Sequence, residues 1–230
     1  MSSQAPSIGT LAEKSLHAAL KTWYAQPGDQ LETRLDGFVI DIIRDDLLIE
    51  IQTRSFSALK RKFEKLLGGG RRLHLVHPIP TQKWIVRQTG RGTPIGRRKS
   101  PKKGRAIDLF HELIRIPHIV PHPNFSFEVI LTHQDEIWRD DGRGSWRRRR
   151  WSVYDHRLLD VVGQIRFDTP ADYLSLLPEG LSQPFTNREL AAALSCRVSL
   201  AQKMTYTLRK MVQIEQIDKR GNAHLFSVSC

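Results

Sequence analysis

The sequence predicts an α/β fold, laid out as helix, three-strand meander, helix and strand, with a small C-terminal domain of two helices and a hairpin. Three observations carry this. Two aliphatic runs, Phe38–Ile43 and Leu47–Gln52, are joined by Arg44-Asp45-Asp46 and preceded by a second turn signal, Asp36-Gly37. Apolar runs punctuated by such turns are the pattern of paired strands. Flanking them, residues 10–24 and 55–67 carry apolar side chains at helical spacing. After residue 168 the composition shifts, with Pro170, Pro178 and Pro184 ahead of a second helical pattern.

In chain order, Leu11, Leu16, Ala19, Leu20 and Trp23 make one face of the first helix, and Thr10 with Glu13 matches a capping box. Gln26-Pro27-Gly28-Asp29 breaks the chain, and Leu31, Thr33 and Leu35 then alternate as in a half-buried strand. Asp36, beside Gly37, reads as a turn residue. Ser55 or Ser57 caps the second helix, whose stripe is Phe56, Leu59, Phe63, Leu66 and Leu67. Lys60, Arg61, Lys62 and Lys65 share its remaining surface, and Gly68-Gly69-Gly70 ends it. Leu73–Val76 is a fourth strand and Gln82–Arg87 a fifth.

Residues 88–105 hold four glycines and two prolines without periodicity, so a mobile loop is expected. Residues 105–115 read as a helix with Ile107, Phe110, Leu113 and Ile114 inward. Pro117, Pro121 and Pro123 exclude regular structure, which removes His118 and His122 as a helical metal pair. Phe125–Thr132 alternates as a strand. Thr169-Pro170 opens a short helix within a linker, 169–185. In 186–230, Thr186 or Asn187 caps a helix through Leu194, 195–199 is a turn, and Leu200–Met211 is a second helix. Val212–Ile217 and Ala223–Val228 are strands around Asp218-Lys219-Arg220-Gly221-Asn222. The expected domains are 1–168 and 186–230, separable by proteolysis near Pro178–Pro184.

If the hairpin centre lies between Asp45 and Asp46, Asp41 stands opposite Glu50. Phe38, Ile40 and Ile42 then share one face with Leu47, Ile49 and Ile51, and Val39, Asp41 and Ile43 share the other with Leu48, Glu50 and Gln52. Two carboxylates directed to one place repel, and a hard divalent cation with oxygen ligands removes the conflict. This stretch resembles the core of the PD-(D/E)XK superfamily of restriction-endonuclease-like nucleases, with Asp41 as the first acid and Glu50-Ile51-Gln52 as the second motif. The resemblance covers the first third of the chain. It implies an αβββαβ core with a mixed sheet and hydrolysis of DNA phosphodiester bonds. It also implies Mg2+ (or Mn2+) held by Asp41 and Glu50, and an acid from the first helix, Glu13, as a further ligand. Gln52 stands where lysine is usual, as in some active members. In some relatives the lysine comes from the second helix instead, for which Lys60 and Lys62 are the candidates.

The net charge of +12 and a pI near 10.1 point to a polyanionic partner. Arg97, Arg98, Lys99, Lys102, Lys103 and Arg105 cluster with no acid between Arg87 and Asp108, which suits phosphate contact. The run Arg147, Arg148, Arg149 and Arg150 is flanked by Trp146 and Trp151, a mixture that suits phosphate and base stacking or a packed loop. Residues 186–228 resemble winged helix-turn-helix domains, which implies that Arg197, Gln202, Lys203, Thr205, Arg209, Lys219 and Arg220 face nucleic acid. Winged helices also serve as protein-interaction modules.

The chain has no apolar run long enough to span a membrane and no basic-then-apolar leader. Cys196 and Cys230 form no C-x-x-C pair, so a cytoplasmic protein without disulfides or structural zinc is expected. The expected activity is a divalent-metal-dependent nuclease acting on DNA, duplex, branched or single-stranded, for which a homodimer would allow double-strand cutting. The alternatives are a DNA-binding regulator with an inactive nuclease-like core and a helper of RNA processing.

Overall fold

The structure, a computed structural model, describes residues 15–142 and 151–229. In order the elements are α1 (Ser15–Tyr24), β1 (Gln30–Leu35), β2 (Phe38–Arg44), β3 (Leu47–Ile51), α2 (Lys60–Gly68), β4 (Arg72–Gln88), β5 (Pro94–Lys99) and α3 (Phe110–Leu113). There follow β6 (Phe125–Arg139), β7 (Ser152–Phe167), β8 (Phe185–Thr186), α4 (Asn187–Ala193), α5 (Val198–Lys210), β9 (Ile214–Arg220) and β10 (Ala223–Val228). Short 3-10 turns occupy Phe56–Leu59, Ala106–Leu109 and Pro170–Leu176. The large sheet has the order β1-β2-β3-β4-β6-β7, with β5 added to β4, and a small sheet has the order β8-β10-β9. The pairs β1–β2, β2–β3 and β4–β5 are antiparallel and β3–β4 is parallel, so the class is α/β with a mixed sheet. Among the described residues no helix is long and apolar enough to cross a membrane.

The meander follows from its turns. Asp36 and Gly37 both take positive φ, 52° and 85°, which lets Leu35 pair directly with Phe38. At the second turn Asp45 has φ 52°, and Arg44 pairs with Leu47. Aspartate tolerates this left-handed conformation better than most residues. The register Ile42↔Ile49 and Ile43↔Leu48 is the one expected for a hairpin centred between Asp45 and Asp46.

The chain divides into two compact units. One holds α1, residues 80–104 and residues 132–162; the other holds residues 28–79, 105–131 and the chain from 163 onward. The cut falls inside β4, β6 and β7.

The larger unit owns the main apolar core. Phe56, Phe63 and Leu66 bury against Phe125, Phe127 and Leu113 in a cluster that also takes in Phe185, Leu190, Leu200, Met204 and Leu208. Phe167 and Tyr173 stack with centroids 4.4 Å apart, and Phe127 lies 6.0 Å from Phe167. The boundary expected at 169–185 is therefore not where the structure divides, because apolar side chains on both sides of it fill one core. α2 ends in a Schellman arrangement, in which Arg71 N–H donates to Leu66 O at 3.0 Å and Gly70 N–H to Leu67 O at 2.9 Å, with Gly70 at φ 78°. The same pair of bonds ends α5, from Gln213 N–H to Leu208 O and from Val212 N–H to Arg209 O. Val212 thus belongs to the helix end, not to a strand starting there, and β9 begins at Ile214.

The smaller unit corrects three expectations. The strand expected at 82–87 is the continuation of β4 and not a separate strand. The loop expected over 88–105 contains β5, paired through Trp84↔Lys99, Ile85↔Arg98 and Val86↔Arg97. The strand expected at 125–132 runs on to Arg139, and β7, which the sequence pattern does not announce, follows it. Here Lys83 pairs with Glu136, and Arg97 bonds Asp135 at 2.9 Å while its guanidinium lies 4.5 Å from the Trp84 ring centroid.

Candidate active site

The hairpin brings Asp41 and Glu50 together by its register alone. Each carboxylate accepts a backbone hydrogen bond from the other's strand. Ile51 N–H donates to Asp41 Oδ2 at 2.8 Å, and Asp41 N–H donates to Glu50 Oε1 at 3.3 Å. Glu50 is only 6% exposed. Burial first, and then the neighbouring Asp41 carboxylate, push its pKa from 4.5 up to about 7.

The counterweight comes from α2. Lys62 Nζ donates to Glu50 Oε1 and, at 2.6 Å, to the Val39 carbonyl. This contact lowers the Glu50 pKa but does not overcome burial. Of the two lysines that sequence left open, the fold places Lys62 at the acids. Lys60, the other candidate, does not reach them. Its side chain is 55% exposed and lies 4.0 Å from Glu64. Two residues along a helix differ in direction by more than half a turn's spread, so the two lysines cannot serve the same place.

Gln52, where the resemblance expects a lysine, is engaged by its own segment and by β4. Its Nε2 donates to Ser55 O at 3.2 Å, and its N–H donates to Val76 O at 2.9 Å. Two residues that sequence reasoning missed brace this segment. His77 Nδ1–H donates to Gln52 O at 2.5 Å, and Glu112 Oε2 accepts from Phe56 N–H at 3.0 Å. Burial pushes the His77 pKa down, which favours the neutral ring. No motif singles out either residue; only the tertiary fold does.

Asp41 and Glu50 offer hard carboxylate oxygens on neighbouring strands, a donor set that suits Mg2+ or Mn2+ better than softer metals. Among the described residues no three His, Cys, Asp or Glu side chains are grouped closely enough to enclose an ion. The further ligand expected, Glu13, lies outside the described residues.

The expected nucleic-acid contacts fall into distinct groups. Arg98, Lys99, Lys102 and Lys103 are exposed or nearly so. Arg97 is engaged with Asp135 and Trp84. Arg105 is held by its own chain, donating to Leu194 O at 2.6 Å. Arg147, Arg148, Arg149 and Arg150 lie outside the described residues.

In the C-terminal part, Arg197, Gln202, Arg209 and Lys219 are exposed. Lys203 is 3.0 Å from His111 Nδ1, and Thr205 is buried, donating to Asn187 Oδ1 at 2.7 Å. These two therefore correct the expected reading face, because α5 turns this side onto the core. Arg220 pairs with Glu189 at 2.7 Å beside a groove of about 460 Å³ that Asn187, Arg188, Gln202, Asn222 and His224 also line.

Comparison with known proteins gives a family and one relative, without an assigned activity. Residues 14–168 match the family described as Domain of unknown function (DUF8091). An uncharacterized protein of Treponema pallidum (strain Nichols) is 27% identical over 223 residues, covering 95% of this chain and 86% of the relative. That similarity extends into the C-terminal part, beyond the family match. No solved structure gives a significant match. Residues 14–168 are more than half of the chain, and the chain belongs to the DUF8091 family.

Proposed function

We propose that the chain is a divalent-metal-dependent nuclease that hydrolyses DNA phosphodiester bonds, built on a PD-(D/E)XK-like core. The observation that carries this is the convergence of Asp41, Glu50 and Lys62. Two acids on adjacent strands and one ammonium supplied by the following helix make an acid, acid and lysine set at the N-terminal half of the sheet. Bound Mg2+ or Mn2+ would lower the pKa of a water and stabilise charge developing on the phosphate. Asp41 and Glu50 would hold the ion. Lys62 keeps a positive charge beside Glu50, where it favours the ionised carboxylate and faces the same place as an incoming phosphate. Gln52 holds the turn through Ser55. The bases Arg98, Lys99, Lys102 and Lys103 supply attraction to phosphate without sequence preference.

The test compares wild type, Asp41→Ala and Glu50→Ala on supercoiled plasmid, linear duplex, single-stranded DNA and RNA, with Mn2+, Mg2+ or chelator. The expected result is metal-dependent cleavage by wild type alone, with DNA binding by both variants intact or slightly tighter, since each loses a charge that repels phosphate. Gln52→Ala should lose less activity than either acid variant. Equal cleavage by wild type and Glu50→Ala would place the activity elsewhere. DNA binding without cleavage by any form would favour the regulator with an inactive core.

A further inference from the structure

A glycine inside a strand leaves a gap in the row of side chains, and such gaps often mark a bulge, a bend or a place where a ligand comes close. Gly96 lies inside β5, which pairs with β4 through Ile85↔Arg98, Val86↔Arg97 and Arg87↔Gly96. Residues directly opposite share a face, and so do residues two apart on one strand. Ile85, Arg87, Gly96 and Arg98 therefore form a square on one face of the sheet, with a side chain at three corners and none at the fourth. The register shift falls between Arg87 and Gln88, just outside the square. A Cβ at Gly96 would meet no neighbouring atom within 4 Å.

The gap opens a depression of about 210 Å³, lined by Ile85, Arg87, Gly96, Arg97 and Arg98. Its floor is apolar, since Ile85 is buried. Its rims are charged. Arg87 and Arg98 are exposed, and neither side chain makes a hydrogen bond or ion pair among the described residues. Arg87 makes a ring contact instead, its guanidinium 5.4 Å from the Trp151 ring centroid. The guanidinium of Arg97 is engaged by Asp135 and Trp84.

We infer that this depression receives the base of an unpaired nucleotide. The inference rests on the reading of the chain as a nucleic-acid enzyme and narrows its substrate to strands that carry unpaired residues. Diagonal neighbours on a sheet rise about 7–8 Å apart, and packed atoms sit about 3.5–4 Å from one another. Arg87 and Arg98 are such neighbours, so one flat ring fits between their two guanidinium planes. Splayed-out bases are held by stacking on planes of this kind. The phosphates on either side of the base meet the same two charges. Residues 80–104 carry eight basic residues and no acid, so the surroundings attract phosphate as well. A base stacked within a duplex offers only its edges and cannot enter. An acidic peptide would satisfy the arginines but leave the apolar floor uncovered.

Fluorescence anisotropy of the full chain in chelator tests this with three DNA duplexes of equal length. One is fully paired, one has a single unpaired adenosine, and one has an abasic unit in its place. The unpaired base should raise affinity about tenfold over its abasic counterpart, which carries the same phosphates. Gly96→Val keeps every charge and fills the gap with a side chain that strands favour. It should bring the unpaired form down to the abasic one, and Gly96→Ala should lie between. Equal affinity of wild type for the base and abasic forms overturns the inference. So does a folded Gly96→Val protein that keeps the preference. If Gly96→Val fails to fold, Gly96→Ala, whose Cβ meets no neighbour, decides in the same way. Chelator keeps these outcomes apart from the nuclease reading. A protein that prefers the unpaired base but never cuts keeps the base site and loses the nuclease. One that cuts without the preference keeps the nuclease and loses the base site.

Discussion

Lys62 and Glu50 form an ion pair that is almost closed to solvent, with side chains 12% and 8% exposed. The lysine is tied on its other side to the Val39 carbonyl. Glu50 is thus held between an ammonium that favours its charge and two influences that oppose it, burial and the Asp41 carboxylate. Several properties of the protein should depend on that balance.

Lys62→Met removes the favourable partner, so the Glu50 pKa should rise beyond its present value of about 7. If ionised Glu50 takes part in cleavage, the acid limb of the pH–rate profile with Mn2+ should move to higher pH in this variant. Lys60→Met, an exposed change beside Glu64, should leave the profile in place. A Lys62→Met enzyme with an unmoved acid limb would remove Glu50 ionisation from the reaction.

Without metal, Glu50 should make stability depend on pH. Its folded pKa of about 7 lies above its ordinary 4.5. The folded state therefore binds the proton more tightly than the unfolded state. The resulting stabilisation is fully present below pH 4.5 and is lost as pH rises through 7. A shift of this size corresponds to at most roughly 3 kcal/mol. Urea unfolding of wild type against Glu50→Gln from pH 5 to 8, in chelator, should show an extra decline in the wild type alone. Parallel curves would contradict the raised pKa.

Duplex DNA binding should weaken steeply with salt, because lysine and arginine contacts release condensed counterions. Neutralising Arg98, Lys99, Lys102 and Lys103 to glutamine should lower affinity for all sequences alike and flatten the salt slope by about one for each true contact. Arg97→Gln should act differently, by destabilising the smaller unit, since its guanidinium is engaged with Asp135 and Trp84. Fluorescence anisotropy at several salt concentrations reads the first effect and thermal denaturation the second. An unchanged salt slope in the fourfold variant would exclude these residues as contacts.

Val212 has φ 61° and is 74% exposed. A β-branched residue in the left-handed region is strained, and glycine is not. Val212→Gly should raise stability by about 1 kcal/mol, although it adds flexibility to the unfolded chain. A lower midpoint in urea would mean that the valine side chain contributes packing that its exposure does not suggest.

The meander and its two acids are legible in the sequence because every local signal agrees. Asp36-Gly37 and Asp45-Asp46 set the turns, and the turns set the register that places Asp41 beside Glu50. Lys62 cannot be told from Lys60 by spacing, because the choice depends on how α2 is rotated over the sheet. β4 is obscured by Pro78 and Pro80, which look like a break. In the structure the backbone of these residues points to the same side as that of Val76, in the gap after β3 ends its pairing at Val76 and before β5 begins at Trp84. A missing N–H costs no ladder bond there. β7 is hidden because Leu158-Leu159 and Val161-Val162 stand side by side, which spoils the two-residue alternation that marks a strand with one buried face. Lys203 and Thr205 mislead for a third reason, since the outward face of α5 is set by packing on α3.

The stack of Phe127, Phe167 and Tyr173 has a consequence for how the protein is made. Its members come from two stretches of chain separated by material belonging to the smaller unit. The core they help to fill also needs Leu200, Met204 and Leu208. During synthesis the β1–β3 meander can form early from neighbours in sequence, but the core cannot close until the last quarter of the chain has left the ribosome. Contacts of such long sequence separation slow folding. Chains cut short after residue 168 should accordingly be substrates for proteases rather than independent domains.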